Sequence, residues 1–151
     1  MTDLKNIEVL LVEDNASDAE LILRALGKIH LAEKVFHVKD GAQALDFIFA
    51  RGAYALRREQ TALKAVFLDL KLPKIDGLEV LRQIKADERA RMIPVVVLTS
   101  SQEERDVIEA YRLGANSYVA KPVDFDELSK AICEVGSYWV FLNKSLVSQG
   151  L

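Results

Sequence analysis

The chain has 151 residues, of which 50% are hydrophobic and 28% charged, with a net charge of −3. That size and make-up suit one globular domain with a proper core, and they offer no basic footprint for nucleic acid. The single cysteine, Cys133, excludes an intrachain disulfide and any multi-cysteine metal site. No uninterrupted apolar run reaches the roughly 18 residues of a membrane span, and the polar start MTDLKN lacks a signal peptide's apolar region. A cytoplasmic protein is expected.

Taken in order, Ile7 to Val12 (IEVLLV) is the first strand candidate, followed at once by Glu13, Asp14 and Asn15. Adjacent carboxylates at a strand end repel each other unless a cation or solvent intervenes. Asn15 or Ser17 could cap the next helix, and Asp18 and Glu20 suit its first turn. Leu21, Ile22, Ala25, Leu26 and Ile29 then recur with helical period. Glu33 to Val38 reads as a second strand. His30 and His37 read as surface or packing residues, since no third ligand has suitable spacing. Asp40-Gly41 opens a helix with Ala44, Leu45, Phe47, Ile48 and Phe49 on its apolar face. Residues 51–64 are the least periodic stretch, and Arg57-Arg58 there reads as a solvated pair.

Ala65 to Leu68 is an unbroken apolar run, as expected of a parallel strand covered on both faces. It stops on Asp69. Pro73 and Gly77 bracket the loop, and a helix from Gly77 to about Asp87 follows, with Leu78, Leu81 and Ile84 inward. Pro94 opens a fourth strand, Val95 to Leu98, which ends in Thr99-Ser100-Ser101. The next helix is expected near Gln102, capped within SQEE, with Val107, Ile108 and Tyr111 on one face. Leu113-Gly114 ends it. Ser117 to Ala120 forms a fifth strand and runs into Lys121-Pro122. A lysine there is costly unless its ammonium meets anions. The last helix is expected from Val123 to about Lys144, with Phe125, Leu128, Ile132 and Val135 inward.

Five βα units predict an α/β fold, one doubly wound parallel sheet ordered 2-1-3-4-5 within a single domain spanning 1–151. Ligands bind at the carboxyl ends of such strands. In this order the ends of strands 1, 3, 4 and 5 bring together Glu13 and Asp14, Asp69, Thr99, and Lys121. Three carboxylates in one cleft call for a hard divalent ion such as Mg2+. The hydroxyl and ammonium suit a multiply charged oxyanion such as phosphoryl. Asp69 lies between the two sides, placed to attack phosphorus and form an acyl phosphate.

These residues resemble the receiver domain of two-component response regulators, which has a flavodoxin-like fold. The family pattern is an acidic pair after the first strand, an Asp in a D-x-x-x-P-x-x-x-G loop, a Thr or Ser after the fourth strand, an aromatic in the fifth and a Lys-Pro after it. Here these are Glu13-Asp14, Asp69 with Pro73 and Gly77, Thr99, Tyr118, and Lys121-Pro122. The resemblance implies that Asp69 is the phosphoacceptor for a sensor histidine kinase. It implies that Asp14 and Asp69 ligate Mg2+, with Glu13 acting mainly through water and Lys71 lending its backbone carbonyl. Thr99 and Lys121 would bind the phosphoryl group, and Thr99 with Tyr118 would form the switch. The Lys121-Pro122 peptide would be cis. The insertion at 51–64, the LPKIDG loop and VVLTSS resemble more narrowly the small regulators that partner cyanobacterial phytochromes. Ser100, where a smaller residue is common, and the bulky Lys71 depart from the pattern and bear on the lifetime of the phosphorylated state.

Three other readings compete. A haloacid-dehalogenase-like phosphatase needs a second Asp two residues after the nucleophile, where this chain has Lys71. A flavin binder of the same fold is poorly served by the acidic loop EDNASD. A degenerate receiver, binding partners without phosphate, is opposed by the complete acceptor set. The chain is thus expected to be a non-enzymatic phosphoacceptor. Only Ser145 to Leu151 follow the last helix, so output is expected through protein contacts. Tyr138-Trp139-Val140-Phe141-Leu142 makes the end of that helix apolar around most of its circumference, which favours a homodimer with Tyr138, Trp139 and Phe141 at the interface over the alternative, a tail folded back on its own domain.

Overall fold

The computed structural model describes residues 4–57 and 63–145. Its strands are β1 (Val9–Val12), β2 (Val35–Val38), β3 (Ala65–Leu68), β4 (Val95–Thr99) and β5 (Ser117–Ala120). Its helices are α1 (Ala16–Lys28), α2 (Gly41–Ile48), α3 (Gly77–Ala86), α4 (Glu104–Arg112) and α5 (Phe125–Ser137). The strands form one sheet in the order β2-β1-β3-β4-β5, every pairing parallel. The expected architecture is therefore the observed one. Arg58, half of the expected basic pair, lies outside the described residues.

Side-chain alternation along the strands splits the core in two. Leu10, Val12, Val66, Leu68, Val95 and Val97 face α2 and α3. Val9, Leu11, Ala65, Phe67, Val96 and Leu98 face α1 and α5. Four helices start on a side-chain cap: Asn15 accepts from Asp18 N, Asp40 from Gln43 N, Asp76 from Glu79 N and Asp124 from Glu127 N. On the second face the helices approach closely. A Cβ on Gly136 of α5 would lie 2.9 Å from Leu26 Cδ2 and 3.0 Å from Ile29 Cδ1. Gly136 thus serves close helix approach. Toward the other edge, Lys85 Nζ donates to Ile93 O (2.8 Å), Arg91 O (3.0 Å) and Asn116 Oδ1 (3.0 Å), and burial lowers its pKa to about 8. Asn116 Oδ1 also accepts from Val95 N, so one side-chain junction joins α3 to the starts of β4 and β5.

Several local expectations need correction. The second strand starts at Val35, after a short 3-10 turn over Ala32–Lys34. Arg57 is not solvated: its guanidinium lies 4.0 Å from the centre of the Phe47 ring and donates to Phe47 O, and burial lowers its pKa to about 10. The fourth helix starts at Glu104, and its N-cap, Glu103, makes no side-chain cap bond. It buries Ala110, while Ile108 and Tyr111 stay 43% and 51% exposed. The sequence pattern weighted the bulky residues, but the small one lets the helix sit against the layer below. The last helix is α-helical only to Ser137 and then forms one π-helical turn, Tyr138–Leu142. Its first residue, Phe125, lies one turn before the first buried side chain, Leu128, and is 67% exposed rather than inward. In the π turn Val140 is buried and Trp139 half-buried against the α1–α5 core, while Tyr138, Phe141 and Leu142 remain exposed. The tail end is therefore partly covered by its own domain. Lys64 Nζ holds it at the amino end of the sheet, 3.4 Å from Val140 O and 3.5 Å from a Glu8 carboxylate oxygen.

Candidate functional site

At the carboxyl ends of four of the five strands, β1, β3, β4 and β5, stand the charged and hydroxyl side chains of the site. Glu13 follows β1 and is buried; Asp14 beside it is exposed. Asp69 follows β3 and is buried, Thr99 ends β4 with no exposure, and Lys121 follows β5 and is buried. The Lys121 backbone N–H donates to Thr99 O at 2.7 Å, extending the last sheet pairing to the site. The Asp69 turn is clamped by the start of α3. A Cβ on Gly77 would lie 2.2 Å from Asp69 O and 2.5 Å from Leu70 Cα, so only glycine lets the helix begin there.

Lys121 is the hub. Its Nζ lies 2.5 Å from Glu13 Oε1, 2.9 Å from Asp18 Oδ2 and 3.2 Å from Asp69 Oδ2. An ammonium has three N–H donors and no acceptor, so these three carboxylates satisfy it. Burial alone would lower the lysine pKa, but the hydrogen bonds to Glu13 and Asp18 and the charge of Asp69 hold it above the ordinary value. Burial raises Glu13 to about 7; the hydrogen bond from Lys121 opposes this and the Asp69 charge adds to it. The other Glu13 oxygen accepts from Asn15 N at 3.1 Å, and His37 Nε2 lies 2.7 Å from Glu13 O. Lys71 N is 3.4 Å from Asp69 Oδ1, with its side chain in solvent.

The described residues contain no cis peptide, so the Lys121-Pro122 bond is trans, contrary to the expectation. Trans is favoured for X–Pro by about 0.5–1 kcal/mol, and the Lys121 side chain reaches all three carboxylates without the cis form.

Beyond Thr99 lies a second network. Ser101 N is 3.4 Å from Thr99 Oγ1, Ser101 Oγ donates to Asp106 Oδ2 of α4 at 2.5 Å, and Tyr118 Oη donates to Ser101 O at 2.9 Å. Burial raises the Tyr118 pKa. Asp18 and Ser101 are site residues that sequence reasoning did not place here. The sequence offers for each a sufficient helix-start reason: first-turn acidity for Asp18 and capping for Ser101. Tyr138, Trp139 and Phe141 lie apart, at the end of α5, with the Tyr138 and Trp139 rings edge to face at 5.0 Å.

The acidic group fits a hard divalent cation. Glu13, Asp14 and Asp69 each offer an oxygen within 4.8 Å of the others, an all-oxygen donor set that suits Mg2+.

Comparison with known proteins bears on this site. The pattern of the response regulator receiver domain matches residues 9–133. Among curated proteins, the chain is 43% identical over 139 residues to a probable methanogenesis regulatory protein, FilR2, of Methanothrix harundinacea, covering 91% of this chain and 86% of that protein. It is 36% identical over 132 residues to the response regulator Rcp1 of Synechocystis, covering 87% and 88%; the Mn(2+)-bound structure of Rcp1 superposes with a TM-score of 0.85, at 34% identity over 92% of this chain and 98% of that one. The phosphorylated cyanobacterial phytochrome response regulator RcpA superposes with a TM-score of 0.86, at 34% identity over 93% and 98% of the two chains.

Proposed function

Because the chain belongs to the response regulator receiver family, we propose that it accepts a phosphoryl group from a sensor histidine kinase on Asp69 and signals through protein contacts. The observation that carries this reading is the position of Asp69, bonded through one oxygen to Lys121 and grouped with Glu13 and Asp14. An Asp69 oxygen attacks phosphorus, the P–N bond to the donor imidazole breaks, and its electron pair leaves with the nitrogen. Lys121 and the Thr99 hydroxyl receive the charged oxygens. Asp14 and Asp69 would hold Mg2+, with Glu13 acting mainly through water and Lys71 lending its backbone carbonyl, and the ion would supply positive charge to the phosphoryl oxygens. The chain acts as a phosphoacceptor rather than as an enzyme on other substrates, and as a single cytoplasmic receiver across 1–151. Labelling with a phosphodonor and Mg2+ tests the assignment: Asp69→Asn should carry no label, because an amide is no nucleophile here. Label at the wild-type rate on Asp69→Asn would sink it.

Thr99 and Tyr118 form the switch in this reading. Thr99 turns toward the phosphoryl group, its contact with Ser101 loosens, and Tyr118, bonded to the same residue, moves with it. Amide spectra from Gln102 to Tyr118 should shift on adding beryllofluoride and Mg2+; unmoved amides with the site occupied would refute the coupling.

Likeness to Rcp1 and RcpA favours a phytochrome-type photoreceptor kinase as donor. Phosphotransfer profiling against the host's kinases tests this, and a faster transfer from a kinase of another class would replace it. We further infer a homodimer through the tail, where Tyr138 and Phe141 stand exposed beside Trp139. Trp139→Ala or Phe141→Ala should give monomers that still take phosphate. A wild-type monomer in sedimentation at high micromolar concentration would rule the dimer out.

A further inference from the structure

We propose that Asp18 is a positioning residue for Lys121, a resting acceptor that competes with the phosphoryl group for the ammonium. The inference rests on the phosphoacceptor reading of Asp69. The geometry makes Asp18 unlike the other two carboxylates on that ammonium. Glu13 and Asp69 belong to the acidic group whose oxygens suit a divalent cation; Asp18 does not. It comes from the first turn of α1, where the bond from its own N–H to Asn15 Oδ1, at 2.9 Å, fixes the backbone. Its side chain is 32% exposed, against 1% for Glu13 and 9% for Asp69.

These differences define what happens at the lysine. Once a cation draws on Glu13 and Asp69, Asp18 is the acceptor left to the ammonium. Phosphoryl oxygens arriving on Asp69 can take the two N–H donors so released, but the ammonium reaches them against the pull of its 2.9 Å contact with Asp18, which it must lengthen or share. Asp18 accepts that loss at low cost, because its carboxylate sits at the rim of the cleft and hydrates again. The other two have no such access to water. Asp18 therefore gives Lys121 a resting position from which it can be drawn, and each phosphoryl group captured has to outcompete a carboxylate. The Asp18 charge, held beside the incoming anion, opposes capture in the same sense.

The test is beryllofluoride binding to the full chain at saturating Mg2+, with Mg2+ affinity measured separately for each variant. Asp18→Asn should bind the anion about fivefold more tightly than wild type, the scale of a partly exposed ion pair. It should lose phosphoryl from Asp69 more slowly by a similar factor. Asp18→Glu, which keeps the charge, should return both values toward wild type; a merely structural role would not follow the charge in this way. Equal or weaker anion binding by Asp18→Asn would overturn the proposal, weaker binding making Asp18 a support for the phosphoryl-bound lysine. Wild-type protein that binds beryllofluoride no better than Asp69→Asn would bring down the phosphoacceptor reading instead.

Discussion

The helices α1 and α4 are held to the same sheet in contrasting ways. α1 buries Ala19, Ile22, Ala25 and Leu26 and lies so close to α5 that Gly136 admits no side chain without displacement. α4 buries Ala110, has no side-chain cap, and leaves Ile108 and Tyr111 largely in solvent. An element with little buried apolar surface opens at low free energy, and moving parts are drawn from such elements. The site spans both regimes. Glu13, Asp14 and Asp18 stand at the start of the firmly packed helix; Thr99 and the Ser101–Asp106 bond lead into the loosely packed one. The acidic group and the lysine bonded to it are thereby anchored at firmly packed ground, while the hydroxyl side leads into the element with less buried apolar surface.

The largest expected effect would break the contrast on its firm side. Leu26→Ala removes a fully buried side chain from the α1–α5 core and should lower unfolding free energy by about 3 kcal/mol in urea titration. A loss below about 1 kcal/mol would mean this layer relaxes as readily as the other.

A second prediction uses the charge stored at the start of α1. The Glu13 pKa is raised from an ordinary 4.5 to about 7 in the folded chain. The folded state therefore binds a proton more tightly than the unfolded one. Its contribution is fully present below the unfolded value and is lost as pH rises through the folded one. Without divalent cation, stability should fall by on the order of 2 kcal/mol between about pH 4.5 and 7.5. Mg2+ should offset the loss, so its thermal stabilisation should be larger at the upper end of this window. A metal-free stability that rises across the window would show that the Lys121 contact outweighs burial.

On the loose side, Ser101→Ala deletes the bond to Asp106 and should cost about 1 kcal/mol. The effect should be regional, with faster hydrogen exchange in α4 and unchanged exchange in α1. Equal acceleration in both helices would mean that α4 opens only with the whole domain. The smallest effect sharpens the contrast: Ile108→Ala should stay within about 0.5 kcal/mol of wild type, since the residue is already 43% exposed.

The strands, their order and the residues at their ends were legible because parallel strands are apolar throughout and stop abruptly at polar residues. Asp69 after AVFL is an example. What one residue does when two explanations suffice was not legible. Asp18 suits a helix first turn whether or not its carboxylate turns back to a lysine 103 positions away in sequence. Helical period identified a face on α4 and α5 but not how far that face is covered. Phe125 shares a stripe with Leu128 and Ile132 yet precedes the covered part, and Ala110 was hidden by larger neighbours. Isomerism at Pro122 turns on a difference small enough for tertiary context to decide, and no local residue pattern encodes it.

All five strands run the same way, so α5 begins beside the phosphoryl site and ends at the opposite pole, where Lys64 moors the Val140 carbonyl. A partner held at that pole leaves the mouth of the cleft open. Two copies joined by their tails would present two phosphoacceptors at a fixed separation. To a kinase carrying two donor sites such a pair is a bivalent ligand: after the first encounter the second acceptor is met at an effective concentration set by geometry rather than by the amount of protein present. The mooring lysine would then matter to avidity, although it lies at the far end of the fold from every atom that reacts.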